Sequence, residues 1–251
     1  MTYNVHACVG LDGRLSPQRI ARVIARHDPD VVALQELDVG RARSGGVDQA
    51  RVIADLLQML LEFHPVLSVE EERYGDAVLS RLPMRPVRLG RLPALDRQPP
   101  LEPRGALWVE VGEGPTALQV VNTHLSLHPV ERRRQVEALL GPEWVGGIAP
   151  GTGTVLCGDF NALGWFPECR RITRSLRDVQ VGHPGHRPRN TFWGRLPLGR
   201  IDHIFVDRAL EVVHVDVPDD ALTRVASDHL PVIVDVRLSQ RTEGCDRRRS
   251  P

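Results

Sequence analysis

The chain has 251 residues, 41% hydrophobic and 25% charged, the balance of an ordinary globular protein with enough material for a substantial core. Its formal net charge of +0 excludes a strong whole-molecule attraction to polyanions. Four scattered cysteines with no C-x-x-C pair exclude a disulfide framework and a cysteine-based zinc site, and no apolar run reaches the roughly 18 residues of a membrane span.

Taken in chain order, Tyr3 to His6 reads as the end of a strand. Ser16-Pro17 then opens a helix, serine as N-cap and proline at the first helical position, with Ile20, Val23 and Ile24 on one face and a stop near Asp28-Pro29. Val31 to Gln35 is a continuous apolar strand that ends in Glu36. A second helix is expected over Val47 to Leu61, with Val52, Leu56, Met59 and Leu60 as its apolar stripe. From residue 65 to 125 strands follow one another, at Ala77–Leu79, Val87–Leu89, Ala106–Val111 and Ala117–Asn122, punctuated by Gly and Pro. Glu131 to Leu140 returns to helix, and strands follow at 153–158, 201–206, 211–217 and 231–237, with a loop over 218–230. The pattern predicts one mixed α/β domain over 1–237 and a solvated, disordered tail over 238–251. It holds more strands than one open sheet usually carries, so two packed sheets are expected.

The apolar strands share one feature, a polar residue at the tip. They offer Asn4, Glu36, His124, Asp159 with Asn161, and Asp202, while Asp228-His229 precedes the last strand. Any one of these alone is most simply a cap or turn residue. Together they suit phosphoester hydrolysis. A carboxylate such as Glu36 holds a hard divalent cation, Mg²⁺ or Mn²⁺. An aspartate positions or deprotonates water, an imidazole oriented by a second carboxylate donates to the phosphate, and Asn and Arg add donors. Asp159 and Asn161, two apart, share a face of an extended backbone.

The ordered motifs "TYNV", "LQE", "GDAVLSRLP", "PRGALWVEV", "NTHL", "GDFN", "RIDHIF" and "SDHLPV" closely resemble the endonuclease/exonuclease/phosphatase superfamily, over residues 2 to 237. The resemblance implies a four-layer α/β/β/α sandwich with the site at one edge of the two sheets. It also implies a role for each residue. Glu36 would be the main metal ligand with Asn4 beside it, and Asp228 would sit at the metal or at a second one. Asp159 would position the attacking water, and Asn161 and Arg104 would contact the phosphate. His229, paired with Asp202, would face the phosphate, and His124 would be a second phosphate binder or the leaving-group acid.

A phosphodiester, either nucleic acid or a small or lipid diester, is the expected substrate, with a sugar or inositol phosphomonoester as the alternative. A non-catalytic binding member is disfavoured because no motif position is missing. Asp12, His6, Arg41 and Arg43 are expected in loops flanking Glu36, as solvated charges or substrate contacts. His183 and His186 read as an ordinary loop, Phe192 and Trp193 as packing, and Arg132 to Arg134 as a solvated helix face. Aromatic residues make up only 4% of the chain, so no stable membrane insertion is expected, and the protein is expected to be a monomer. With no signal peptide seen at Met1 a cytoplasmic location is expected. An upstream strand or signal would be the missing part if the true start lies earlier.

Overall fold

Strands that are apolar on both faces need cover on both sides, and this chain provides it with two sheets and flanking helices. The computed structural model describes residues 1–192 and 198–238, so Trp193 and the expected tail beyond Leu238 lie outside the described residues. Its elements run β1 (Thr2–Asn4), α1 (Pro17–His27), β2 (Val31–Val39), α2 (Gln49–Leu57), β3 (Leu60–Val69), β4 (Glu72–Ser80), β5 (Met84–Arg91), β6 (Gly105–Val111) and β7 (Leu118–His124). They continue with α3 (Pro129–Leu139), β8 (Thr154–Asp159), α4 (Pro167–Ile172), β9 (Arg177–Asp178), β10 (Asp202–Val206), β11 (Leu210–Asp216), α5 (Thr223–Ala226) and β12 (Ile233–Leu238).

One sheet has the order β1-β2-β4-β3 and the other β5-β6-β7-β8-β10-β9. A β11–β12 hairpin meets β1 through a bridge between Thr2 and Val232. Alternation along each strand sorts the core into three slabs. Val32, Leu34, Ala77 and Leu79 face α1 and α2, whereas Ala33 and Val78 face the other sheet. On the six-stranded sheet, Val109, Val120, Cys157 and Ile204 face inward to the first sheet, and Ala106, Val121, Leu156 and Phe205 face α3 and α4. Three apolar slabs between four layers make the expected α/β/β/α sandwich.

Local signals explain most boundaries. The Ser16 hydroxyl accepts the Arg19 N–H at the start of α1, and Asp48 caps α2 in the same manner. The second helix differs from expectation. It ends at Leu57, where Gln58 adopts φ 54°, and its buried face is Ala50, Ile53 and Ala54, while Leu56 and Leu60 are exposed. Leu60 already belongs to β3, and the first residues of that strand had imitated one more helical turn. The 218–230 connection also holds the short helix α5.

Strand β2 does not stop at Glu36 but bulges there. The β2–β4 register shifts between Leu34 and Leu37, and Glu36 takes φ 62°. A regular strand would turn Glu36 to the helix side with Val32 and Leu34. The bulge re-aims it. The break leaves the Leu34 and Ala77 carbonyls to be satisfied, and Asn122 of β7 reaches across the sandwich to donate to both, at 2.9 Å each. Gln35 Nε2 donates to Asn122 Oδ1 at 2.7 Å and lies 3.0 Å from Thr2 Oγ1. Sequence reasoning had assigned no role to Asn122 or Gln35.

Asn122→Leu keeps the side-chain size but orphans both carbonyls and removes the shortest of the Gln35 amide's hydrogen bonds. The expected loss is about 3 kcal/mol of unfolding free energy, read by urea denaturation, and a loss below about 1 kcal/mol would show that this carboxamide does not hold the bulge.

Candidate active site

The inter-sheet faces of five strands reach one end of the sandwich, and each ends in a polar residue there. Asn4 Nδ2 donates to Glu36 Oε1 at 2.9 Å and to Asp159 Oδ2 at 3.0 Å, tying the two sheets together. Its Oδ1 accepts from the His6 backbone N–H. His124, Asp159 and Asp202 are register partners across β7, β8 and β10, so three titratable side chains stand in a row on one face. Behind Glu36 lies Asp76 of β4, whose Oδ1 is 3.4 Å from the Glu36 N–H. Burial raises the Asp76 pKa to about 7, against the opposing pull of Arg104.

Backbone geometry at the tip of β8 is tightly specified. Gly158 has φ 138°, and a Cβ there would collide with the Thr123 carbonyl of β7. Asn161 has φ 47°, and its N–H donates to Asp159 Oδ1 at 2.8 Å, turning the chain so that both side chains stay at the site. Its carboxamide donates to Leu125 O and lies 3.1 Å from His124 Nε2.

The two histidines carry opposite charge states. Arg104 Nη1 is 3.0 Å from His124 Nδ1. A guanidinium only donates, so Nδ1 accepts and the ring proton sits on Nε2, 3.5 Å from Asp159 Oδ2. Burial, then Arg104 and His229, hold the His124 pKa well below its usual value, and the ring is neutral. His229 Nδ1 instead meets Asp202 Oδ2 at 2.8 Å. Burial opposes its charging, but Asp202, Asp159 and Asp228 outweigh burial and raise its pKa to about 10. Thr191 fixes Asp202 with a 2.5 Å hydrogen bond to Oδ2, and Ser227 receives the His229 N–H while donating to Asn4 O. Asp159 is raised, chiefly by burial and then by Asp202 across the ladder.

Two sets of donor atoms lie within 4.8 Å of one another: Glu36, His124 and Asp159, and Asp159, Asp202 and His229. In the first set the Glu36 and Asp159 carboxylates fit a hard divalent cation with waters completing its shell, while His124, protonated on Nε2, is a donor beside it and not a ligand. Asp228 belongs to neither set. It stands at the rim with His6 Nδ1 at 3.7 Å. Arg104 is braced by Glu102 at 2.6 Å as well as by His124. Arg43 grips Asp38, and Arg41 faces Asp38 and Glu72, both guanidiniums lying near the Tyr74 ring. Asp12 is paired to Arg19. His186 bonds Gln180 in a half-exposed loop.

A model of the endonuclease/exonuclease/phosphatase family matches residues 1–229. The chain belongs to this family. Family members hydrolyse phosphoester bonds and are typically dependent on divalent metals. Solved relatives include an endonuclease/exonuclease/phosphatase from Beutenbergia cavernae, 27% identical, covering 94% of this chain and 70% of its own, TM-score 0.73. The mannosyl-6-phosphatase of Bacteroides thetaiotaomicron shares the fold at 19% identity, covering 94% of this chain and 98% of its own, TM-score 0.74. The catalytic domain of human Nocturnin does so at 18% identity, 94% and 92% coverage, and TM-score 0.66. No curated protein matches the chain significantly.

Several supporting residues were not legible in the sequence as functional. His203, beside Asp202 but on the opposite strand face, bonds Ala162 O at 2.9 Å and thereby holds the turn that carries Asn161. Its Nδ1 is 3.4 Å from Asp178 and 3.1 Å from Arg200 Nη1, and Arg200 also grips Asp178 at 2.6 Å. Arg132 was read as a solvated helix residue, yet it is buried. Its Nη1 donates to Ser126 O and Leu127 O, and its Nε faces Glu168 at 3.5 Å. Arg132 thus ties the loop after His124 to the start of α4. Its reach into a loop five residues back has no periodicity to announce it.

Burial opposes charge on His203, but Asp178 and Cys169 outweigh burial and raise its pKa to about 10. A raised histidine stabilises the fold fully below the unfolded value near 6.5, and that stability is lost as pH climbs towards 10. Asp178→Asn is expected to cost about 3 kcal/mol in denaturant unfolding at pH 6, with the gap to wild type narrowing at alkaline pH to the share that Arg200 contributes. A gap that is constant with pH would contradict a charged His203.

Proposed function

We propose that the protein is a divalent-metal-dependent phosphodiesterase that drives in-line attack of water on a phosphodiester. The convergence of a neutral donor, a fixed imidazolium and a water-facing carboxylate at one strand edge carries this reading. Glu36, with Asn4 beside it, would hold Mg²⁺ or Mn²⁺, and the cation when bound neutralises charge on the phosphoryl oxygens. Asp159 positions the water and takes its proton, a task suited to a carboxylate whose pKa is raised towards neutrality. His229, cationic through Asp202, donates from Nε2 to a phosphoryl oxygen. His124 donates from Nε2 as a neutral imidazole, a phosphate binder rather than a leaving-group acid, with Arg104 fixing its tautomer. Asn161 adds its amide, and Asp228 with His6 borders the leaving group.

The charge balance favours a diester over a monoester. Arg41, Arg43, Arg104 and Arg189 are each paired to carboxylates, so one imidazolium and the cation face the substrate. That complement suits a singly charged phosphate. The zero net charge also gives none of the whole-molecule attraction that supports tight duplex binding.

Turnover on plasmid DNA, an abasic oligonucleotide, RNA, an aryl phosphodiester, an inositol phosphate and lipid vesicles, each with Mg²⁺, Mn²⁺ or EDTA, tests the proposal. Activity on a diester is expected, abolished by EDTA and lowered at least about 100-fold by Asp159→Ala or His229→Ala. Activity confined to the monoester, or untouched by these substitutions, would overturn it.

A further inference from the structure

Beside the site, on the α3/α4 side, the loops that carry the phosphate-facing residues expose large apolar side chains. Leu127, three residues past His124, is 73% exposed, and Trp165, four past Asn161, is 65% exposed. Val130, in the first turn of α3, is 41% exposed. The loops adjoin. Asn161 donates to Leu125 O, and the Arg132 guanidinium touches Leu127 O at 3.2 Å while lying 5.7 Å from the Phe166 ring, itself 6.1 Å from Trp165. No single loop holds this patch; the fold assembles it from two loops and a helical turn. Isolated exposed apolar residues are ordinary, but a cluster at the mouth of a site marks an interaction surface.

The surrounding charge indicates what covers it. Arg133 and Arg134 lie three and four residues beyond Val130, hence beside it on the helix, and both are exposed, as is Arg170 on α4. Arg134 and Arg170 have no ion-pair partner among the described residues, unlike the arginines nearer Glu36. Two aliphatic side chains and one tryptophan among free arginines match the headgroup boundary of an anionic bilayer. A single-stranded nucleic acid would call for successive aromatic platforms along a basic groove.

We propose that the Leu127–Val130–Trp165 surface docks on anionic phospholipid membranes and presents a lipid phosphodiester to the Asp159–His229 site. The proposal rests on the phosphodiesterase reading for its chemistry but not for its docking. Leu127 and Trp165 enter the headgroup layer, and Arg134 and Arg170 meet lipid phosphates.

Co-sedimentation of the full chain with phosphatidylcholine vesicles and with mixed phosphatidylcholine/phosphatidylglycerol vesicles tests it, alongside the tryptophan emission spectrum. Binding is expected to the mixed vesicles, with a blue shift that Trp165→Phe removes. Leu127→Ser/Trp165→Ser and Arg134→Glu/Arg170→Glu should each weaken binding at least about tenfold. Both should leave turnover of a water-soluble aryl phosphodiester within about twofold, which also shows that the variants fold. If a doubly substituted chain fails to fold, Leu127→Ala and Trp165→Phe singly take its place. No binding by wild type, binding indifferent to these substitutions, or binding instead to a single-stranded oligonucleotide through Trp165 would overturn the docking surface. Vesicle binding without turnover of any diester would leave docking standing and sink the phosphodiesterase reading.

Discussion

One carboxamide spans the gap between the two sheets, and the site depends on it. Asn122 satisfies two carbonyls that the β2 bulge frees, and without that bulge the alternation of β2 would point Glu36 into the helix-side core. A buried polar group in a sandwich core is costly unless its hydrogen bonds are made. Here Thr2, Gln35, Asn122 and the freed carbonyls largely satisfy one another. The network therefore fixes the relative position of the sheets at one end. Asn4 then repeats the crossing at the mouth, holding Glu36 of one sheet against Asp159 of the other.

Two buried imidazoles flanking Asp159 differ in charge because burial goes unopposed at His124 and is outweighed by carboxylates at His229. Asp202 makes His229 a cation; Arg104 makes His124 a neutral donor with its proton on the nitrogen that faces the site. Asp159 lies between them with Asp202 across the ladder, so its carboxylate is raised by burial and by its neighbour and lowered by His229. Such a set keeps net charge low among buried side chains while supplying both a proton acceptor and cationic and neutral donors. It also explains the surplus of paired arginines nearby, each already answered by a carboxylate, and thus why a neutral chain still suits an anionic substrate.

Much of this was legible in the sequence, for identifiable reasons. Continuous apolar runs that end in Asn4, Glu36, His124 and Asp159, or begin at Asp202, announce strands buried on both faces, and period two places their tips together. The Ser16-Pro17 start of α1 is a local signal and survived intact. What escaped reading depends on distant partners. The bulge at Glu36 has no marker in "LQELD", because its stability comes from a side chain 86 positions later in the chain, at Asn122. The face of α2 was misplaced because Leu60 and Leu61 are strand residues that continue a helical period. Arg132 looked like one of three solvated arginines, and only the packing of α3 on α4 distinguishes it. His203 sits next to Asp202 yet faces the other way, a consequence of strand alternation that becomes informative only once Ala162 is known to lie there.

A crystal of the protein soaked in Mn²⁺ and measured for anomalous scattering tests the central claim, that the bulge delivers Glu36 to a cation site between the sheets. A peak bonded to a Glu36 carboxylate oxygen is the predicted result. A peak held by Asp202 and His229, with Glu36 free of metal, would contradict it, because the Asp202–His229 pair would then be a ligand set and not the source of an imidazolium.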